Sequence, residues 1–419
     1  MRIAVVGAGN RGSAYARWAA DDPQAAVVAV AEPNAARRAR FVAEHDIDPA
    51  LAFADWRDLA AAGRTGEAGK IADAVVIATL DDDHVEPSVA FAEQGYHLLL
   101  EKPIARTPDE CRLIVAAAEQ AGVILAVGHV LRYAPYTTGV KSIIDSGRLG
   151  QIVSIQHLEP IGFWHHAHSY VRGNWRDEAA SNFALLTKSC HDIDWLQYVM
   201  GQSVARVSSF GGLAHFTPEQ RPAGATARCV DCPVERTCAY SAPRLYRGLL
   251  DGGHHDWPLS AVIDQFTPAA LDQALREGPY GECVYAGAND VVDHQVVNLE
   301  FANGATGSFT MIAFSEANHR STRVFGSQGE LRCDGETIEI HDFLTRSTER
   351  IPVGAFGDHT ASGGHGGGDA RLVTAFVDAV AAGDPSRILS GGEDSLRSHL
   401  TVFAAEHARR TGAVVPVTL

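Results

Sequence analysis

The first twelve residues constrain the fold most: an apolar run, residues 3–6, enters Gly7-Ala8-Gly9-Asn10-Arg11-Gly12, and a helical pattern leaves it. This is G-x-G-x-x-G set between a strand and a helix. The first glycine permits the tight turn, the second lets backbone approach a pyrophosphate, and the third lets the helix pack on the strand. Free N–H groups at the start of the helix then face the phosphates. A second apolar run, residues 27–31, ends at Glu32, twenty residues after Gly12. A carboxylate there accepts hydrogen bonds from an adenine ribose 2′-hydroxyl and repels a 2′-phosphate. The pattern predicts NAD in preference to NADP, with Gly7, Gly9, Asn10, Arg11, Gly12 and Glu32 at the cofactor. Arg37 and Arg38 nearby pull the other way.

Short apolar runs continue at residues 74–78, 96–100 and 123–127, with helical patterns between them, such as 84–94 and 108–120. Unbroken apolar strands joined by helices imply a parallel sheet covered on both faces, a doubly wound α/β domain. We place it at residues 1–129. From residue 130 to 419 the pattern changes. Runs at 152–157, 205–210, 293–301 and 307–314 read as longer strands, and Asn303-Gly304 is a hairpin signal. Residues 181–200 read as one helix, 369–381 as another after a glycine-rich loop at 363–368, and 393–410 as a last one. The second domain is therefore expected to be α+β with an open, mostly antiparallel sheet. A Cys-, Pro- and Gly-rich stretch from about 215 to 285 reads as an insertion.

The formal net charge of −16 repels phosphate backbones and anionic lipid, which excludes nucleic acid and membrane surfaces as expected partners. Met1 and Arg2 lead directly into the first strand and not into an export signal. No apolar stretch is long enough to span a bilayer. The expected setting is a reducing cytoplasm, where the seven cysteines are thiols or metal ligands. Cys229-x-x-Cys232-x5-Cys238, with Cys283 closing the insertion, suggests a structural tetrahedral zinc; buried thiols, or three thiols with a histidine such as His254, are the alternatives. Cys111, Cys190 and Cys333 read as packing residues.

Further motifs carry a resemblance. Ala78-Thr79, His84, Gly95-Tyr96-His97, Glu101-Lys102-Pro103, Gly128-His129-Val130-Leu131-Arg132-Tyr133 and Cys190-His191-Asp192-Ile193-Asp194 together resemble the Gfo/Idh/MocA oxidoreductase family over nearly the whole chain. The resemblance implies a Rossmann domain followed by an α/β domain with an open sheet, and sugars, cyclitols or related polyols as substrates. It also implies a homodimer or homotetramer paired through the sheet's outer face. It places Thr79, His84, Glu101 and Lys102 at the cofactor, and gives the proton-handling role to Lys102 and His191. Chemistry agrees. Alcohol oxidation needs a group for the hydroxyl proton, and Lys102 follows a strand at its carboxyl end, where ligands collect in such sheets. Histidine suits proton transfer near neutrality.

One position departs from the family. Many members carry Asp four residues before the histidine, and here Thr187 stands there, followed by Lys188. Lys188-Ser189-Cys190-His191-Asp192 resembles a subclass of the family, in which Lys188 is expected to join Lys102 and His191 as a catalytic residue, orienting substrate or binding an anionic group. Substrate contacts are also expected from His129, Arg132, Tyr133 and Thr187. Tyr170-Val171-Arg172-Gly173-Asn174-Trp175-Arg176 suits a polyol, with Trp175 over C–H faces and Arg172, Asn174 and Arg176 reading oxygens. Trp164, His165, His166 and His168 read as an active-site wall, a plain surface loop or, least readily, a metal site. His365 in His-Gly-Gly-Gly-Asp is expected at the site, or else Asp369 simply caps the following helix. Three functions remain open: a sugar or polyol dehydrogenase, an NAD-retaining glycoside hydrolase acting by transient oxidation and elimination, and a non-catalytic NAD-binding regulator.

Overall fold

The computed structural model describes residues 1–65, 69–316, 319–357 and 365–418; residues 363–364 of the expected glycine-rich loop lie outside them. The chain begins with β1 (Arg2–Val6), α1 (Asn10–Ala20), β2 (Ala26–Ala31), α2 (Ala35–His45), β3 (Ala52–Phe53), α3 (Trp56–Thr65), β4 (Ala74–Ile77), α4 (Val85–Glu93), β5 (His97–Leu100), α5 (Pro108–Ala121) and β6 (Leu125–Val127). The six strands form a parallel sheet in the order β3-β2-β1-β4-β5-β6. All four residues of β4 are buried, as a strand covered on both faces requires. Local signals set the helices. Before α5, Thr107 accepts from Glu110 N–H at 3.2 Å, Pro108 takes the first turn, and Gly122 closes the helix in the left-handed region.

The second part holds α6 (Pro135–Asp145), β7 (Ile152–Pro160), α7 (Phe163–His166), α8 (Ala184–Thr187), α9 (Cys190–Met200), β8 (Val204–Gly212), α10 (Ala242–Asp251), α11 (Pro268–Glu277), β9 (His294–Phe301) and β10 (Thr306–Ile312). β11 (Ser321–Gly326), β12 (Gly329–Cys333), β13 (Thr337–Asp342), β14 (Thr348–Pro352), α12 (Gly368–Ala382), α13 (Gly392–Thr411) and β15 (Val415–Pro416) follow. Nine strands form one sheet in the order β14-β13-β12-β11-β7-β10-β9-β8-β15. Only β7 and β10 pair in parallel, and every other ladder is antiparallel. Alternate residues of β9, β10 and β11 are buried, so one face carries the core beneath α6, α9 and α13. Among the described residues no helix is long and apolar enough to cross a membrane.

Two expectations are corrected. Residues 181–200 are two helices, because Lys188 and Ser189 break the run between α8 and α9. Residues 163–172 are helical and not a loop: α7 runs into a π-helical stretch, Ala167–Arg172. The sequence reading also missed β3, the β11–β14 meander and β15.

Arg132 and Tyr133, expected at the substrate, instead pin the segment before α6 to α9 and to the segment before α13. The Arg132 guanidinium grips Asp194 of α9 with two bonds, 2.7 and 2.6 Å, and also donates to the Leu389 carbonyl. Tyr133 accepts from Leu389 N–H at 2.9 Å and meets Ser390 Oγ at 3.1 Å. Both residues are buried. Removing one partner of such a pair leaves a buried unpaired charge. Asp194→Ala should lower the unfolding free energy by about 3–5 kcal/mol. Arg132→Met combined with Asp194→Leu should cost much less. Urea denaturation checks both, and equal losses would contradict this account.

Candidate active site

The glycine loop leaves β1 with Gly7 at φ +90°. A Cβ on Gly12 would sit 1.9 Å from the Gly7 carbonyl, whereas one on Gly9 would meet nothing within 4 Å. Gly12 is thus required by packing, and Gly9 faces the open side where a pyrophosphate would lie. Glu32 is buried, with Oε2 accepting from Ala8 N–H at 2.8 Å and Oε1 from Asn34 N–H at 2.9 Å. Each oxygen keeps a lone pair for a ribose hydroxyl. Arg38 Nη1 donates to the Glu32 and Pro33 carbonyls. These residues fit NAD.

At the carboxyl end of β5, Glu101 does not face outward as a cofactor ligand would. Its carboxylate is buried, bonded to Arg11 Nε and to the Lys102 backbone N–H. His84 is also internal, with Nδ1 2.8 Å from the Pro103 carbonyl, so it braces the lysine turn. Thr79 bonds the Asp83 carbonyl at 3.0 Å. Lys102 reaches across the cleft, and its Nζ donates to the Thr187 carbonyl at 2.7 Å. The break after α8 frees that carbonyl. The Thr187 hydroxyl itself turns back toward Phe183.

His191 opens α9, is buried, and has an Nδ1 with no hydrogen-bond partner. Its ring lies 6.0 Å from that of His129 and 5.8 Å from that of His365. Burial first, then the charge of Lys102, holds its pKa well below the ordinary histidine value. Burial therefore favours the uncharged ring of His191. His129 is fully buried between His191 and His399, 5.3 Å from the latter, and does not face a substrate. Lys188 meets Glu159 at 3.1 Å. Arg320 meets the same carboxylate at 3.0 Å and Asp192 at 2.5 Å, and Asp192 also bonds His157 at 3.2 Å. Sequence reasoning missed Glu159 and Arg320. The usable signal was a glutamate at a buried position of β7; Arg320 precedes a strand that was not recognised.

The Tyr170–Arg176 segment serves the insertion more than the cleft. Arg172 is buried and donates to the Glu282 and Tyr240 carbonyls, both at 2.8 Å, and to Cys229 Sγ at 3.4 Å. Arg176 pairs with Glu282 at 3.2 Å, and Asn174 is exposed. Trp175 stacks on Tyr170, ring centroids 5.9 Å apart. His168 bonds the Tyr246 hydroxyl at 2.7 Å and stacks on Tyr280. His166 stacks on Tyr170 and Phe216 instead, while the His165 ring lies 4.8 Å from Trp257. Three histidines with three surroundings make no metal site. The insertion closes one side of the cleft through Trp257, and Ser260 reaches Asn10 at 3.3 Å.

The insertion has its own small core of Cys229, Ala242, Tyr246, Leu259, Ile263, Leu271 and Leu275. Zinc is not supported. Among the described residues no three of His, Cys, Asp or Glu are arranged to hold a metal, and Cys229 packs in that core against Arg172. Cys232, Cys238 and Cys283 are free thiols. Burial pushes the thiols of Cys111, Cys190 and Cys333 up to about 12, as packing residues require.

Burial also lowers His129 to about 3 and His166, His168 and His399 to about 4. These histidines stay neutral in the fold below pH 6.5, where the unfolded chain binds protons, so stability falls on acidification. Each contributes about 1.4 kcal/mol per pH unit between 6.5 and its folded value. Urea unfolding at pH 7 and pH 5.5 should therefore differ by several kcal/mol. An unchanged midpoint and slope would contradict the burial of these rings.

Residues 1–129 match the family model described as "Oxidoreductase family, NAD-binding Rossmann fold", and residues 141–419 match "Oxidoreductase family, C-terminal alpha/beta domain". YteT of Bacillus subtilis (strain 168) is 25% identical over 348 residues, 77% of this chain and 76% of that protein. The 2,7-anhydro-N-acetylneuraminate hydratase of Escherichia coli (strain K12) is 27% identical over 52% of this chain and 55% of its own length. The 1,5-anhydro-D-fructose reductase of Ensifer adhaerens is 32% identical over 32% and 39%, respectively. A solved structure of levoglucosan dehydrogenase, in complex with NADH and levoglucosan, has the same fold with a TM-score of 0.72 at 19% identity, covering 100% of both chains. Two family models cover nearly the whole chain, and the chain belongs to the Gfo/Idh/MocA family of NAD-binding oxidoreductases.

Proposed function

We propose that the protein reversibly oxidises a secondary hydroxyl of a sugar, cyclitol or glycoside with NAD. One observation carries this reading: Lys102, at the carboxyl end of β5, bonds through Nζ the Thr187 carbonyl at the end of α8, and its charge acts on the buried His191 of α9. When bound, NAD supplies the hydride acceptor. Lys102 holds the reacting oxygen by donating a hydrogen bond. Lys188 and Arg320, held by Glu159, offer charged donors for neighbouring hydroxyls. The reductase and dehydrogenase names among the relatives support the same substrate class. A homodimer or homotetramer in the cytoplasm completes the reading. The exposed Phe210 on the outer face of the sheet offers a pairing surface, and the seven thiols suit a reducing compartment.

The hydratase relative favours a second reading, in which NAD is retained and the sugar is oxidised only transiently before elimination. Absorbance at the NADH band, with aglycone release read in parallel, separates the two. Under the first reading, NADH accumulates on a free sugar or cyclitol, and Lys102→Ala lowers the rate by about 10²–10⁴-fold. Aglycone release that needs NAD without net NADH establishes the second. Tight NAD binding with no turnover on sugars, cyclitols or nitrophenyl glycosides overturns both in favour of a regulator.

A further inference from the structure

The family's usual carboxylate beside the histidine is absent at Thr187, and no carboxylate on α9 or β7 replaces it. Asp192 is spent on Arg320 and His157, Asp194 on Arg132, and Glu159 on Lys188 and Arg320. Asp369, from another part of the chain, supplies one. Its side chain is wholly buried, and Oδ2 accepts from His365 Nδ1 at 2.6 Å. The His365 ring lies 5.8 Å from that of His191.

Other histidine–carboxylate pairs nearby cannot meet a substrate. His157, paired with Asp192, is 0% exposed between Trp195 and Phe309, and His129, 3.8 Å from Asp194, is 1% exposed. The His365 side chain is 38% exposed. Donating Nδ1–H to Asp369 leaves Nε2 with its lone pair free.

The backbone is built to place this ring. His365 has φ +39°, and Gly366 and Gly367 follow at +64° and +91°. A Cβ on Gly368 would stand 2.4 Å from the Val130 carbonyl, so helix α12 is pressed against the turn before α6. The carboxylate of Asp369 does not cap α12, as one sequence reading had it. The capping position is Gly367, and Asp369 Oδ1 accepts instead from Arg11 of the glycine loop at 2.5 Å. Burial alone would raise the Asp369 carboxyl, but His365 and Arg11 hold it down to about 2.

Resting on the dehydrogenase reading, we propose that His365, oriented by Asp369, takes the proton from the reacting hydroxyl, so that a histidine–carboxylate pair at the head of α12 replaces the carboxylate missing at position 187. The C–H bond breaks with its electron pair going to nicotinamide C4, the O–H bond breaks with its proton going to His365 Nε2, and the C=O bond forms. Asp369 stays ionised, and the imidazolium returns its proton to solvent through the exposed edge of the ring. His365 is a catalytic residue; Asp369 and Arg11 are positioning residues. His191, buried and beside the Lys102 ammonium, is a poor resting place for that proton and keeps a hydrogen-bonding role.

Among the described residues, the charged and titratable groups facing His365 are Asp369, His191, His165 and, through Asp369, Arg11. The test is the pH profile of kcat/KM, with NAD affinity measured alongside, for the wild type, His365→Gln and Asp369→Asn. His365→Gln should lower kcat by about 10²–10⁴-fold with NAD affinity within twofold, and should abolish the acid limb of the profile. Free imidazole should restore part of the rate to His365→Ala. Asp369→Asn should move the acid limb of the profile to lower pH, since the imidazolium loses its carboxylate. If Asp369→Asn fails to fold, the His365 variants decide alone. A His365→Gln enzyme with wild-type rate and an intact acid limb overturns the assignment while leaving the dehydrogenase reading in place. A wild type that turns over no sugar or polyol overturns that reading, and the assignment with it.

Discussion

One guanidinium ties the molecule's two parts into a single site. Arg11 stands in the glycine loop, at the start of α1. It bonds Glu101 next to the crossing lysine, the Tyr15 hydroxyl at 2.7 Å, and Asp369 at the head of α12. Three segments that must meet at the cofactor therefore share one cation: the phosphate loop, the Glu-Lys-Pro turn and the segment bearing His365. The Asp369 side chain is wholly buried and that of Glu101 nearly so, so each needs its partner to remain charged in the interior. Fixing these groups before substrate arrives lowers the reorganisation required at the reacting centre.

A second ionic layer lies behind the first, on the large sheet. Lys188, Glu159, Arg320 and Asp192 alternate in sign, and His157 closes the chain against Thr322 at 2.8 Å. The two cations and two carboxylates offset one another. The insertion adds a wall to this arrangement. Arg172 is buried on the main-domain side and reads insertion carbonyls, so the insertion is docked by hydrogen bonds to backbone as well as by its own core. Its Trp257 then comes to rest beside Trp164 and His165.

The parallel sheet was legible because its strands are buried on both faces and read as plain apolar runs, and because the glycines and Glu32 sit at fixed places in that pattern. The second sheet was half legible. β7 to β10 are long and alternate cleanly, whereas β11 to β14 are short and carry charges on the outward face, as in Thr337–Asp342, where polar and apolar residues alternate without a strong run. In the site, Lys102 and His191 were visible as motif residues. What sequence could not assign was where each long side chain goes. Arg132, Arg172 and Arg176 look like substrate readers by composition but are consumed by Asp194, backbone carbonyls and Glu282. Arg320 and Glu159 come together only through strand pairing, and Asp369 meets Arg11 across 358 residues of chain. The cysteine spacing looked like a zinc site because spacing alone says nothing of which way the sulfur atoms point.

The central claim is that Arg11 couples the cofactor loop to the segment that carries His365. A double-mutant cycle on Arg11→Met and Asp369→Asn, read as unfolding free energy with and without NAD, tests it most directly. Residues sharing one ionic network give interaction energies of about 0.5–3 kcal/mol. The account predicts a coupling in that range that persists when NAD is bound. Additive losses, with no coupling in either state, would contradict it.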